Sequence, residues 1–356
     1  MEPALQEVLR QLLERRSLTE EQAQRAFEQV LSGAANESQV AAMLALMAVK
    51  GPSLDEAVGG ARAMRAHMER VPLDGLTTAD RESVIDTCGT GGAPKTFNIS
   101  TAAAIVAAAA RGAGGKRVRV AKHGGRSRSG RGSAEVLALL GVNVDASPQV
   151  QAKCLRDCGF CFSFAVNHHP AMKFAAGPRK SLGFPTVFNL LGPLCNPAGA
   201  RRQLIGVYGA GLVELIAQAL ARLGTERAMV VHGRDGMDEL TTTERTIVGR
   251  VQDGRVGMEE IDAKDLGIAR ASLDDLAVSS VEESAEVIRR VLAGEKGARR
   301  DIVLLNAAAA LAVGGAADDL SSGIGAAASA IDSGAAKRAL ERLGAISRGE
   351  KDPHRE

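Results

Sequence analysis

Three glycine-rich stretches carry the side chains with chemistry to offer. The first, GTGGAPKTFNIST at residues 89–101, follows the apolar run Ser83–Thr87 and leads into an Asn-Ile-Ser-Thr helix opening. Gly89, Gly91 and Gly92 let backbone N–H groups approach an anion, and the helix that follows points its positive end at it. Asn98, Ser100 and Thr101 stand where they either cap that helix or contact ligand oxygens; the plain alternative is a strand–turn–helix joint capped by Ser100. The second stretch, KHGGRSRSGRGS at 122–133, puts Lys122, Arg126, Arg128 and Arg131 in one loop that ends at a helix beginning near Ser133. Guanidinium groups pair bidentately with phosphate and a lysine adds a compact charge. A solvated basic loop or a nucleic-acid contact are the alternatives, and His123 is either a ligand contact or a hydrogen-bonded structural histidine. The third, HGRDGMDEL at 232–240, places Asp238 and Glu239 side by side after the apolar run Ala228–Val231. Such a pair alone is usually a helix start. Facing a site that the other two loops make positive, it suits Mg²⁺, which bridges carboxylates to substrate phosphates. Together the three loops describe a Mg²⁺–polyphosphate site.

Composition narrows the ligand. Aromatic residues make up 3% of the 356 residues, with no Trp and one Tyr, and the net charge is +2. A stacking platform for nucleic acid is therefore not expected, and a small polyphosphate is favoured. The N-terminal MEPALQEVLRQLLERR carries charges throughout and does not read as a signal peptide. Ala102–Ala110 and Ile302–Ala317 are too short, or too interrupted by Asn306 and glycines, to span a bilayer. A cytoplasmic protein with five reduced cysteines is the expectation. Residues 154–161, CLRDCGFC, match the spacing of an iron–sulfur motif. The context argues against a cluster: Cys154 falls on an apolar helix face, Cys158-Gly159 is a helix stop, and Cys161 lies in the strand FCFSFA.

The elements that must position these loops change character along the chain. The first seventy or so residues read as helices, with capping boxes at Ser17–Glu20, Asn36–Gln39 and Ser53–Glu56. Gln39–Met47 is nearly all apolar or small, which predicts burial or a subunit contact. From Ser83, β-branched runs at 83–87, 117–121, 160–165, 203–208 and 228–232 alternate with Ala/Leu-rich helices. That alternation predicts a parallel sheet covered on both faces, an α/β architecture with its ligands at the strands' carboxyl ends. His169–Leu194 interrupts the alternation like an insertion. Beyond Arg250 only helices at Ser284–Leu292, Ala307–Leu311 and Gly325–Leu343 stand out.

The stretches GTGGAPKTFNISTAAA, VAKHGGRS, GSAEVLALLG, HHPAMK, FNLLGPLCNPA and DGMDEL resemble, in order, the motifs of the anthranilate phosphoribosyltransferase family. The likeness extends from LTEEQA near the N-terminus to AIDSGAA, nearly the whole chain. It implies a small all-helical N-terminal domain and a larger α/β domain with a central, mostly parallel sheet, of nucleoside phosphorylase/phosphoribosyltransferase type. The helical domain would span 1–78, completed by about 172–194; the α/β domain would span 79–171 and 195–347. The family is usually a homodimer through the helical domains. The implied reaction moves phosphoribose from phosphoribosyl pyrophosphate to the amine of anthranilate, in tryptophan biosynthesis, with no nucleic acid or membrane involved. By motif position, Gly89, Gly92, Ala93, Thr96, Asn98, Ile99, Ser100, Thr101, Lys122, His123, Gly124, Gly125, Arg126, Ser127, Arg128, Ser129, Gly130 and Ser133 would line the phosphoribosyl pyrophosphate site. Ser100, Asp238 and Glu239 would hold Mg²⁺, Arg179 would pair with the anthranilate carboxylate, and His169 and Pro170 would sit by its tunnel. Lys122, His123 and Arg126 would act electrostatically, since an aromatic amine needs no strong base.

The chain departs from the family at named places. GTGGAPK replaces the usual GTGGDG and is one residue shorter, KHGGR puts Gly125 where an Asn normally contacts anthranilate, Arg128 adds charge, and TTTERT follows DGMDEL. These departures fall on the substrates. They leave open a transferase or phosphorylase for another acceptor, or a non-catalytic relative.

Overall fold

The computed structural model describes residues 5–92, 96–126 and 130–354. Its centre is a seven-stranded sheet: β1 (Val84–Gly89), β2 (Arg119–Gly124), β3 (Phe160–Phe164), β4 (Arg202–Gly206), β5 (Arg227–Gly233), β6 (Arg245–Gln252) and β7 (Arg255–Asp262), in the order β3-β2-β1-β4-β5-β6-β7. The first five run parallel. Their near-continuous burial is what a sheet covered on both faces demands. β6 and β7 add an antiparallel edge hairpin that the sequence reading did not find. Its turn, Asp253-Gly254, has φ of 50° and 77°, the left-handed pair that an Asp-Gly hairpin turn needs.

Strand ends differ from expectation in a way that matters. β2 begins two residues later than predicted and continues through Lys122, His123 and Gly124, which are strand residues rather than loop residues. Consecutive strand residues face opposite sides, so Lys122 and His123 look onto different faces of the sheet.

The helices Leu5–Leu13, Glu20–Leu31, Glu37–Lys50 and Leu54–Ala66 bury a common core with Ala175, Val187, Phe188 and Leu191 of the 169–194 segment. Phe27 meets Phe188 edge-on at 5.5 Å between ring centres. The same core runs through Val213, Ile216 and Leu220 of the helix Gly211–Arg222 to Ile205 and Val230 of the sheet, so that helix packs between Leu54–Ala66 and the sheet. Two of the three expected capping boxes are present, at Asn36/Gln39 and Ser53/Glu56. The third is corrected: Thr19 and Gln22 cap Glu20–Leu31. Burial of Leu18 at 1% exposure moves the start, and the Leu18 N–H donates to Glu56, while Ser17 accepts from Lys50. Glu37–Lys50 buries Val40, Met43, Leu44 and Met47 on one face and leaves Val49 exposed. The expected helix Gly325–Leu343 is two helices, Leu320–Asp332 and Ala335–Ser347, broken at Gly334 with φ 72°.

Candidate active site

The three glycine-rich stretches meet at the carboxyl ends of the parallel strands. β1 ends at Gly89, paired with Gly206 of β4, and the chain turns through Gly91 and Gly92 with φ of 68° and 102°. The Thr90 N–H donates to Gly206 O (2.9 Å) and Thr90 Oγ1 accepts from the Tyr208 N–H (3.0 Å), which pins the turn to β4. Ala93, Pro94 and Lys95, where the sequence departs from the family it resembles, lie outside the described residues, as do Ser127, Arg128 and Ser129.

The helix Ile99–Ala109 opens from Asn98, which makes no side-chain cap. Ser100 does not cap it either: it lies inside the first turn, and its N–H donates to Glu239 Oε1 at 3.1 Å. A carboxylate from a loop 139 residues away thus satisfies a free donor at the positive end of the helix. Thr101 is fully buried, its hydroxyl without a partner among the described residues, and Ile99 is core. Ile99 can therefore offer a ligand only its backbone.

Lys122 is 2% exposed; its Nζ donates to Thr87 O (2.5 Å) and Ser100 Oγ (3.2 Å). Burial lowers its affinity for the proton, opposed by Asp86, Cys88, Glu239 and Asp238. Asp238 and Glu239 stand beside it. Their pKa values are raised, Asp238 by desolvation and Glu239 to about 8 by desolvation and then by Asp238's charge. Tight packing fixes the pair: a Cβ on Gly206 would overlap the Asp238 carbonyl, and one on Gly89 would lie 2.9 Å from Asp238 Oδ2. Asn306, which broke an apolar run in the sequence, clamps the next residue: the Leu240 N–H donates to Oδ1 (3.0 Å) and Nδ2 donates to Leu240 O (2.8 Å). Thr241 and Thr243 of the divergent TTTERT segment both donate to Asp235 and so brace the loop from behind.

Two carboxyl groups and a hydroxyl beside a single buried lysine form a set of hard oxygen donors, and the raised pKa values of the acids show that the site holds their charge poorly without a cation. That is the donor set of Mg²⁺. Among the described residues no group of three or more His, Cys, Asp or Glu side chains is placed to hold a metal, so such a cation would draw further oxygens from water or a bound phosphate.

On the other face of β2, His123 Nε2 lies 3.2 Å from His169 Nε2. Both rings are buried; desolvation first and neighbouring histidines next hold His123 well below the usual histidine range and bring His169 to about 4. The neutral pair hydrogen-bonds ring to ring, a juxtaposition that spacing of 46 residues did not disclose. Pro170 follows on the surface. Arg179, on the helix Lys173–Leu182, stacks over Phe188 at 5.4 Å from the ring centre, and Arg126 stands 5.7 Å from the ring centre of Phe164. Gly124 packs against Ser133 and Phe162, so its side-chain-free Cα lets the Ser133–Leu139 helix close on β2. Gly125 is half-buried with only the Ala165 methyl near its absent side chain; Gly130 is exposed with φ 71°. Thr96 forms an isolated bridge with Ala277, in a segment the sequence reading left blank.

The CLRDCGFC stretch takes no part. Cys154 and Cys158 lie on the helix Pro148–Cys158, which Gly159 ends with φ 76°, and Cys161 is in β3. Burial first pushes the Cys154 and Cys158 thiols to about 12 and about 11, and Cys158 Sγ donates to Cys154 O, so thiolate ligands are disfavoured.

Comparison with known proteins agrees with this geometry. Residues 6–68 match the helical bundle domain of the glycosyl transferase family and residues 81–337 its a/b domain. The anthranilate phosphoribosyltransferase of Rubrobacter xylanophilus is 48% identical over 97% of this chain and 98% of its own length. That of Methylobacillus flagellatus is 45% identical over 95% and 97%. The crystal structure of the Thermus thermophilus enzyme superposes with a TM-score of 0.86 at 37% identity, covering 96% of this chain and 99% of that one. The Saccharomyces cerevisiae enzyme in complex with PRPP and Mg gives 0.84 at 26% identity, covering 97% and 98%. With fold, loop chemistry and near full-length identity in agreement, this chain belongs to the anthranilate phosphoribosyltransferase family.

Proposed function

We propose that the site at the carboxyl ends of β1, β2 and β5 transfers phosphoribose from phosphoribosyl pyrophosphate to anthranilate, giving N-(5-phosphoribosyl)anthranilate and pyrophosphate in tryptophan biosynthesis. The observation that carries this reading is the convergence of Ser100, Lys122, Asp238 and Glu239 beside the Gly89–Gly92 turn. The glycine turn and the basic loop hold phosphate oxygens through backbone N–H groups and guanidinium charge. Ser100, Asp238 and Glu239 would hold Mg²⁺, which supplies neutralisation of pyrophosphate charge. Lys122, fixed by Thr87 O and Ser100, sets a positive charge beneath the same site. As the ribose C1–O bond breaks, its electron pair leaves with pyrophosphate; the amine nitrogen forms the new C1–N bond and releases a proton. The chain's share is electrostatic stabilisation and alignment.

We assign the acceptor side to His123 and His169, on the opposite face of β2, together with Pro170 and Arg179, with Arg179 for the anthranilate carboxylate. Gly125 removes one side chain from it and opens room. We read the chain as two domains, residues 1–78 with about 172–194 and the remainder to 347, pairing with a second copy through the helical unit. The exposed Leu13 and Val49 there support that pairing, at 70% and 74% exposure. No helix among the described residues is long and apolar enough to cross a membrane, which accords with a cytoplasmic enzyme.

Pyrophosphate release with phosphoribosyl pyrophosphate, Mg²⁺ and anthranilate tests the reading. Turnover at enzyme-like rates is expected; reaction only with another aromatic or heterocyclic amine would assign a different acceptor, and binding without turnover a regulatory relative. Asp238→Ala with Glu239→Ala is expected to abolish Mg²⁺-dependent turnover, and full activity in that variant would remove the metal assignment.

A further inference from the structure

The segment Leu276–Ser280 and the first turn of the helix Val281–Leu292 lie outside the three loops, yet they join two of them. The Phe97 N–H donates to Leu276 O (3.2 Å), and Thr96 bridges Ala277. The Asn98 N–H donates to Ser284 Oγ (2.9 Å), and that hydroxyl donates in turn to Asn98 Oδ1 (2.7 Å). From the far end of the same side chain, Asn98 Nδ2 donates to Arg131 O (3.1 Å) in the basic loop. Arg131 Nη1 then returns to Val278 O at 2.7 Å. The circuit closes: the 276–284 segment holds the glycine loop, the glycine loop holds the basic loop, and the basic loop holds the segment.

Ser284 is the buried polar member of that circuit, 1% exposed among Ala285, Val287 and Ile288 on the core-facing side of its helix. An apolar residue would suit that face better; a hydroxyl there has its use in gripping both the backbone and the side chain of Asn98. Asn98 keeps one N–H and one lone pair for a ligand, so its amide is a cross-piece between the loops as well as a possible contact.

We propose that Ser284 is a positioning residue for phosphoribosyl pyrophosphate: it sets the spacing between the glycine loop and the basic loop through Asn98, without touching substrate. The proposal rests on the reading of those loops as the phosphoribosyl pyrophosphate site. On the acceptor side, His169 and Pro170 make none of the circuit's hydrogen bonds.

The test measures KM for each substrate and the calorimetric Kd for Mg²⁺–phosphoribosyl pyrophosphate in the parent, Ser284→Ala, Asn98→Ala and the double variant. Loss of the two Ser284 hydrogen bonds is expected to raise KM and Kd for phosphoribosyl pyrophosphate about tenfold, with KM for anthranilate within about twofold. Because one of the two bonds runs through the Asn98 side chain and the other through its backbone N–H, Ser284→Ala is expected to cost less in the Asn98→Ala background than in the parent. Equal rises for both substrates, an unchanged Kd with only a lower melting temperature, or penalties that multiply in the double variant would each overturn the proposal. Should Ser284→Ala not fold, Ser284→Cys, which keeps the volume and weakens the bonds, carries the same comparison. A parent chain that binds no phosphoribosyl pyrophosphate would remove the functional reading itself, whereas a binding parent with an indifferent Ser284 variant removes this inference alone.

Discussion

Replacing Asn306 with leucine tests whether the acidic pair is held from behind. Asn306 is fully buried on the helix Ala298–Gly314, and its amide satisfies both the N–H and the C=O of Leu240, the residue after Glu239. Leucine keeps the same branched skeleton, so no cavity opens, while its methyl groups are bulkier than the amide and add overpacking to the lost hydrogen bonds. Two buried backbone groups lose their partners at about 1–3 kcal/mol each, about 4 kcal/mol together. For 356 residues the unfolding entropy is about 0.75 kcal/mol/K, so the melting temperature should fall by about 5 °C. Release of Leu240 also frees Glu239 from the Ser100 N–H, so the Mg²⁺ concentration for half-maximal turnover should rise several-fold. Differential scanning calorimetry and a Mg²⁺ titration of pyrophosphate release read the two effects. A variant that melts within about 1 °C of the parent, with the same Mg²⁺ dependence, would refute the claim that this amide positions the acids.

Two other perturbations probe neighbouring parts of the site. Gly206→Ala drives a methyl into the Asp238 carbonyl; overpacking of this kind costs about 1–3 kcal/mol, and turnover should fall more than stability because Asp238 itself must move. Equal activity in that variant would show that the loop has room to yield. The His169 pKa is lowered from the ordinary 6.5 to about 4 by burial, so the unfolded chain binds more protons between those values and the native state loses stability as pH falls through that window. Since one pH unit corresponds to about 1.4 kcal/mol per proton, His169→Asn should flatten the stability profile below pH 6.5 by roughly that slope, as read from urea unfolding at a series of pH values; an unchanged slope would contradict the buried neutral assignment.

Much of this protein is legible along the chain because the signals are local. Alternating β-branched and Ala/Leu-rich runs marked all five parallel strands, glycines with a following helix start marked the turn after β1 and the helix Ile99–Ala109, and Asn36–Gln39 and Ser53–Glu56 are caps three residues apart. The edge hairpin escaped because β7 is largely exposed, so its residues carry no apolar alternation, although Asp253-Gly254 marked the turn. The start at Thr19 rather than Ser17 was decided by burial of Leu18 against the rest of the helical unit.

The site's connections belong to the tertiary structure. Glu239 caps a helix 139 residues away, Ser284 grips Asn98 across 186 residues, Lys122 reaches Thr87 and Ser100 from inside a strand, and His123 meets His169. Residue types and spacing are enough to raise the expectation of a Mg²⁺–polyphosphate site, since glycine, arginine and paired acids carry those properties wherever they stand. Which partner each one meets follows from the strand order β3-β2-β1-β4-β5, and that order is set by the summed packing of both sheet faces, a quantity no short stretch of sequence contains.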